Sequence, residues 1–137
     1  MDELLAILNT MNLNAPCKTE ELEKIEQYLG KPLPKDYAEF MKLHNGGEGP
    51  VGENGYLAIW DTDEVLDVNT NTEYPVPVKD LFYFASDRSG LLYAYDKNNY
   101  GKIVEIWDAN YYIESDKPKL IATSLKEFAQ YIHDIEE

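Results

Sequence analysis

Two different hydrophobic periods divide the chain into two halves. In the first half, apolar residues recur every three or four positions, which is the spacing of one face of an α-helix. This spacing predicts a helix in the first ten residues, a second over about residues 20 to 29, and a third that begins near Pro34 and ends at Asn45-Gly46-Gly47. In the second half, short runs rich in aromatic and β-branched residues predict strands. These runs occupy residues 56–61, 81–86, 90–96 and 102–108.

Capping and turn residues set the expected ends of these elements. Thr19 is a good N-cap for the second helix, and Ser124 with Glu127 forms a capping box for a last helix. The sequence Asp87-Arg88-Ser89-Gly90 predicts a tight hairpin turn, and Asp96 to Gly101 predicts a looser one. Three successive strands joined by such turns predict an antiparallel meander.

Glycine and polar residues dominate the part of the chain that joins the two halves. The segment NGGEGPVGENG (45–55) follows a helix, contains Glu48 and Glu53 and has no Lys, so its charge opposes a phosphate-binding role. We expect a helix stop followed by a flexible surface loop. A short helical turn is expected around Val65 to Val68, and a loop over residues 69–77.

The order of these elements is helices, then sheet, then helix, which predicts an α+β fold. The predicted architecture is N-terminal helices, a mostly antiparallel sheet and a C-terminal helix. We find no internal repeat, linker or low-complexity tract, so the sequence predicts one domain over residues 1–137.

The composition adds a strong negative charge to this picture. The 137 residues contain 12 Lys plus Arg and 26 Asp plus Glu, so the formal net charge is −14, while 44% hydrophobic content is too high for a disordered acidic tail. An acidic surface repels phosphate groups, which disfavours nucleic acids and anionic membranes as partners. The chain shows no signal peptide and no apolar run of membrane-spanning length, so we expect a cytoplasmic protein. The single Cys17 agrees with a reducing compartment.

The sequence contains no complete catalytic or metal-binding motif. Asp96 and Asn98 begin a spacing like that of an EF-hand, but Trp107 stands where such a loop needs a bidentate Glu. The single cysteine and the two histidines are too far apart in sequence to predict a zinc site. No serine lies in a nucleophile elbow. We therefore expect no cofactor, no metal and no enzymatic activity, with a small enzyme using scattered carboxylates as a remaining alternative.

Several of these stretches together resemble the SUKH superfamily. Residues 21–49 combine Leu33-Pro34 with Asp36-Tyr37 and Phe40 on a helix that ends in Asn45-Gly46-Gly47. Residues 81–108 are similar to the strands and the Asp-x-x-Gly turn of that family, and residues 124–132 are similar to its closing helix.

The resemblance implies a single α+β domain that binds other proteins and has no established catalytic residues. Bacterial members act as immunity proteins that neutralise a toxin, often a nuclease, whereas fungal members regulate cell-wall synthesis and signalling. We therefore expect a protein partner, with a basic toxin domain as the leading candidate. A cytoplasmic regulatory scaffold for an endogenous protein is the alternative.

The charge distribution predicts where such a partner binds. No Lys or Arg lies between Lys42 and Lys79, whereas seven Asp and Glu residues do, which equals half of the net charge. An aromatic residue surrounded by carboxylates suits a basic protein surface. A solvated acidic face that keeps the protein soluble, with Trp60 as a core residue, is the alternative. The predicted partner-binding residues are Glu48, Glu53, Tyr56, Trp60, Asp61, Asp63, Glu64 and Asp67.

Overall fold

A computed structural model describes residues 1–71, 77–108 and 117–136, and the structural statements below concern these residues. The helices are α1 (Asp2–Ile7), α2 (Thr19–Leu29), α3 (Lys35–Leu43), α4 (Thr62–Thr70) and α5 (Leu125–His133). The strands are β1 (Asn12–Leu13), β2 (Gly47–Val51), β3 (Gly55–Ile59), β4 (Leu81–Ser86), β5 (Leu91–Asp96), β6 (Asn99–Trp107) and β7 (Lys119–Ala122).

The strands form one sheet in which each strand pairs with its neighbours in the chain. The order is β1-β2-β3-β4-β5-β6-β7, and every pairing is antiparallel. The predicted meander of β4, β5 and β6 is confirmed, as is the α+β architecture with N-terminal helices and a C-terminal helix. The short strands β1 and β7 extend the sheet at both edges and were not predicted.

An aromatic core lies between the sheet and the helices α3 and α5. The Tyr37 ring of α3 meets Phe84 and Tyr95 edge-on, at 5.7 and 6.1 Å between ring centroids. Phe128 of α5 contacts Phe84 and Tyr93 in the same manner, at 5.4 and 5.0 Å. Because Phe84 contacts both helices, α3 and α5 cover the same face of the sheet.

Asp36 joins the two helices that cover this face. Its Oδ2 accepts a hydrogen bond from the backbone N–H of Leu125, at 2.7 Å, and its Oδ1 accepts one from the Tyr95 hydroxyl, at 3.1 Å. The Leu125 amide is in the first turn of α5, where no backbone carbonyl is available to it. Asp36 therefore caps a helix that begins 89 residues further along the chain.

The predicted helix starts are confirmed at α5 and shifted at α2. Ser124 is the N-cap of α5, and its Oγ accepts from the Glu127 N–H at 3.1 Å. Thr19 is wrong as the N-cap of α2, because Lys18 holds that position and Thr19 is the first helical residue. The Glu21 carboxylate accepts from the Lys18 N–H at 3.1 Å, which extends the helix by one residue toward the N-terminus.

The predicted flexible loop over residues 45–55 is wrong, since most of this segment forms the β2–β3 hairpin. A Cβ atom on Gly47 would overlap the carbonyl oxygen of Asn12 in β1, and one on Gly52 would overlap that of His133 in α5. Glycines therefore stand here because other backbone segments approach closely. The same residue type that predicts a loop in the sequence marks tight packing in the structure.

Two other predicted loops differ from the structure in extent. The turn expected from Asp96 to Gly101 is shorter, because β6 already begins at Asn99, which pairs with Asp96. The loop expected over residues 69–77 starts later, since α4 continues to Thr70. Residues 72–76 of that loop, including the acidic Glu73, lie outside the described residues.

Candidate protein-binding surface

One face of the β2–β3 hairpin is open to solvent. Pro50 pairs with Tyr56 across the hairpin, and Glu48 lies two residues before Pro50, so the three side chains share a face. Helix α5 packs on the opposite face, where a Cβ on Gly55 would overlap the Ile132 carbonyl oxygen. Tyr56 is 42% exposed on this face.

A hydrogen bond and an ion pair fix the carboxylate of Glu48 on this face. The Tyr56 hydroxyl donates to Glu48 Oε2 at 2.7 Å, and Arg88 Nη2 donates to Glu48 Oε1 at 3.3 Å. The Tyr56 hydrogen bond, followed by the charge of Arg88, holds the pKa of Glu48 below its ordinary value. The same hydrogen bond raises the pKa of Tyr56. Glu48 is therefore a charged acceptor at neutral pH.

Arg88 places a cation at the centre of the acidic surface. Its guanidinium binds Glu64 through two contacts, Nη1 to Oε2 at 2.7 Å and Nη2 to Oε1 at 3.1 Å. The hydrogen bonding and charge of Glu64 raise the pKa of Arg88 further above its ordinary range. Arg88 lies in the β4–β5 turn with φ of 60°, a left-handed conformation that is uncommon for residues other than glycine. Residues 43–78 thus contain no Lys or Arg, but the fold places Arg88 among their carboxylates.

The Arg88–Glu64 pair separates two depressions in the surface. We call the first the sheet depression, which has a volume of about 390 Å³, and the second the turn depression, of about 410 Å³. The sheet depression is lined by residues that include Asn12, Glu48, Pro50, Tyr56, Asp61, Glu64 and Arg88. The turn depression is lined by residues that include Trp60, Glu64, Asp67, Ser86, Arg88 and Asp108.

Trp60 belongs to the core and offers no exposed ring to a partner. The residue is 3% exposed, and its Nε1 donates to the Ser86 Oγ at 3.3 Å. The role of Trp60 as an exposed aromatic anchor is therefore wrong, and the alternative of a core residue on its strand is right. Of the two aromatic residues in the predicted site, Tyr56 is the accessible one.

The predicted acidic residues in α4 and at its N-cap differ in what their side chains contact. Asp61 is the N-cap, and its Oδ1 accepts from the backbone N–H of Glu64 at 2.9 Å, so it stabilises the helix as well as lining the sheet depression. Asp63 and Asp67 are exposed on the helix surface. Asp67 lines the turn depression, and its Oδ1 accepts from Asn71 Nδ2 at 3.3 Å.

Glu53 lies at the far end of the hairpin from Glu48. It is exposed in the β2–β3 turn, whose next residue, Asn54, donates to the carbonyl oxygen of Ile135 beyond α5. Glu53 lines neither depression. The structure thus brings Glu48, Tyr56, Asp61 and Glu64 together and leaves Glu53 apart.

Sequence reasoning missed Arg88 as a member of this surface. Arg88 is 24 residues from Glu64 and 40 from Glu48 in the chain, so a count of charges along the segment does not include it. The predicted hairpin turn at residues 87–90 was correct, and it is the feature that projects Arg88 toward α4. The strand register that brings this turn beside β3 could not be read from the sequence.

Neither a metal-binding cluster nor a membrane-spanning helix is present among the described residues. This part of the chain contains no group of three or more His, Cys, Asp or Glu side chains placed to hold a metal ion. None of its helices combines the length and the apolar character that crossing a membrane requires.

The fold and surface define an α+β protein with one antiparallel meander, helices α3 and α5 on one face and an acidic depression beside α4 on the open face of the β2–β3 hairpin. The chain belongs to the SMI1/KNR4 family (SUKH-1), whose family model matches residues 16–130. This match confirms the resemblance to the SUKH superfamily. The chain is also similar to the uncharacterised protein YnaB of Bacillus subtilis (strain 168), with 32% identity over 66 residues. That match covers 48% of this chain and 43% of YnaB, so the chain spans less than half the length of this curated relative.

Proposed function

We propose that this protein is a non-catalytic, cytoplasmic immunity protein that binds and neutralises a cognate bacterial toxin such as a nuclease. The observation that carries the proposal is the open acidic sheet face around Tyr56 in a chain of the SUKH-1 family. A protein partner with a basic surface is complementary to this face in charge.

The proposed inhibition is steric and electrostatic. A nuclease toxin binds phosphate groups through Lys and Arg side chains. The carboxylates of Glu48, Glu64 and Asp67 would bind these Lys and Arg side chains in place of the phosphates. Tyr56 would contribute aromatic contact area of the kind that is common at interface centres. The toxin would then be unable to bind its substrate, and no chemical step by the immunity protein is required.

Co-expression tests this proposal. The product of a gene adjacent to that of this protein, expressed alone, should be toxic to the host, and co-expression of this protein should restore growth. Purified toxin should lose its activity at a stoichiometric amount of this protein. A toxin that keeps full activity with excess protein would contradict the proposal. A housekeeping defect on deletion, without any toxin partner, would instead support a regulatory scaffold.

A further inference from the structure

We propose that the sheet depression is the docking site for an arginine side chain of the partner, which stacks on Tyr56 and pairs with Glu48. The proposal rests on the proposed function and specifies the chemistry of its interface. It differs from a general acidic surface because it assigns one depression, one aromatic ring and one carboxylate to one side chain.

The open sheet face provides the contact area for this side chain. The strand tyrosines Tyr83, Tyr93 and Tyr95 are buried, whereas Tyr56 remains 42% exposed beside the exposed Pro50. The helix in extensive contact with β2 and β3 is α5, which lies on the opposite face. A planar guanidinium stacks on an aromatic ring more readily than a lysine ammonium does, which favours arginine as the occupant.

The charges around the depression are complementary to a cation. Glu48, Asp61 and Glu64 contribute three negative charges, and Arg88 contributes one positive charge, so the lining carries a net charge of −2. Each carboxylate oxygen has two acceptor positions. Glu48 therefore keeps acceptor positions for a partner while it binds Tyr56 and Arg88.

Arg88 already makes the kind of contact that the partner's arginine would make. Its guanidinium bridges Glu48 and Glu64 at the edge of the depression. Arg88 therefore competes for the carboxylates, and its removal should strengthen the binding of an external guanidinium. An increase in affinity on removal of Arg88 distinguishes the proposal from one in which Arg88 itself contacts the partner, because affinity would then fall.

A capped tri-arginine peptide, titrated into the ¹⁵N-labelled protein of 137 residues and followed by NMR, tests the site. We expect amide shifts in β2, β3 and the β4–β5 turn, and weaker binding of capped tri-lysine. Glu48→Gln and Tyr56→Ala should each raise the Kd about fivefold, and Arg88→Gln should lower it about twofold. Glu53→Gln is the matched control, because it removes the same charge from the same hairpin and should change the Kd by less than about twofold.

Equal weakening by Glu48→Gln and Glu53→Gln would overturn the proposal, since net charge alone would then explain the binding. Shifts confined to another surface, or no binding of the peptide at all, would also overturn it. Tyr56→Phe keeps the ring and should retain more binding than Tyr56→Ala, which separates loss of stacking from loss of folding.

The toxin assay separates this proposal from the proposed function. Neutralisation that survives both Glu48→Gln and Tyr56→Ala would overturn the docking site and leave the immunity function intact. Peptide binding at the sheet depression, together with a toxin that the wild-type protein does not inhibit, would overturn the function and leave the site intact.

Discussion

Asn69 replaces a missing strand neighbour with a single side chain. The pairing of β3 with β4 is short: Ala58 and Ile59 pair with β4, the Trp60 N–H donates to the Phe84 carbonyl oxygen, and the chain then leaves the sheet to form α4. The Asn69 Nδ2 donates to the Tyr83 carbonyl oxygen at 2.8 Å, and its Oδ1 accepts from the Tyr83 N–H at 3.0 Å. A neighbouring strand would make the same pair of bonds.

Substitution of Asn69 by alanine should lower the free energy of unfolding by about 2 kcal/mol, because it removes two hydrogen bonds to the Tyr83 backbone. Urea denaturation of the two proteins measures this difference. The control is Asn98→Ala, which removes an exposed amide in the β5–β6 turn and should cost less than about 0.5 kcal/mol. Equal losses for the two variants would show that the Tyr83 bonds contribute nothing specific.

Glu21 joins α2 to the start of α4. The hydroxyl of Thr62, a residue that is 1% exposed, donates to Glu21 Oε2 at 2.6 Å. The Lys18 N–H donates to Oε1 of the same carboxylate. These two hydrogen bonds, with that of Thr62 the stronger influence, lower the pKa of Glu21 from its ordinary 4.5. The charged form is therefore favoured in the folded state.

This pKa shift makes part of the stability dependent on pH. Because the folded-state pKa of Glu21 is depressed, its contribution is complete above the ordinary value of 4.5 and is lost as the pH falls through the lower folded-state value. Wild type should therefore be more stable than Glu21→Gln at pH 7, and the difference should shrink as the pH falls below 4.5. Thermal unfolding across this range checks it, with the exposed Glu23→Gln as a control. A difference that is constant with pH would contradict the assignment.

At the scale of elements, the β2–β3 hairpin is held by close backbone contacts at its glycines. Gly52 has a φ of +71°, and a side chain there would meet the backbone of His133 at the end of α5. Gly30 has nearly the same φ, +74°, but open space around it. The two positions therefore share a backbone conformation and differ in their surroundings.

Alanine at these two positions should separate conformational strain from steric overlap. Gly30→Ala should cost about 1 kcal/mol for the left-handed conformation alone. Gly52→Ala should cost about 3 kcal/mol, since overlap with the α5 backbone is added to the same strain. Chemical denaturation of both variants measures the difference. Similar losses would mean that the hairpin moves away from α5 without cost.

The elements that the sequence predicted are those whose pattern is local. The aromatic runs of β4, β5 and β6 and the apolar faces of α2, α3 and α5 carry their own period, and the structure confirms them. Strand β1 has two residues and β7 four, which is too short for a period to emerge. Strand β3 was predicted at residues 56–61, but its hairpin partner β2 was missed because the glycines of this segment reflect contacts with β1 and α5, which are distant in sequence.

The candidate site was predictable in composition and not in geometry. Glu48, Tyr56, Asp61 and Glu64 were named from a charge count and do line one depression. The burial of Trp60 depends on how the end of β3 packs against its neighbours, and alternation along one strand does not decide it. Predicting that Arg88 belongs to the site would have required knowledge of the strand register.

At the scale of the whole molecule, a net charge of −14 should govern how fast a basic partner associates. Exposed charges attract a partner over a distance of about 8 Å at physiological ionic strength, and added salt shortens that distance. We expect the association rate constant to fall about tenfold between low salt and 0.5 M NaCl, while the dissociation rate constant changes little. Stopped-flow or surface-based kinetics checks this. Association independent of salt would indicate an apolar interface.

The sequential order of the strands has a consequence for synthesis of the chain. Every ladder among the described strands joins strands that are consecutive along the chain, so each strand after β1 finds a partner already released by the ribosome. Helix α5, which supplies Phe128 to the core and contacts both α1 and the β2–β3 hairpin, emerges after all the other described elements. A growing chain can therefore align its strands in order, but it completes the burial of its aromatic face only after residues 125–133 have left the exit tunnel.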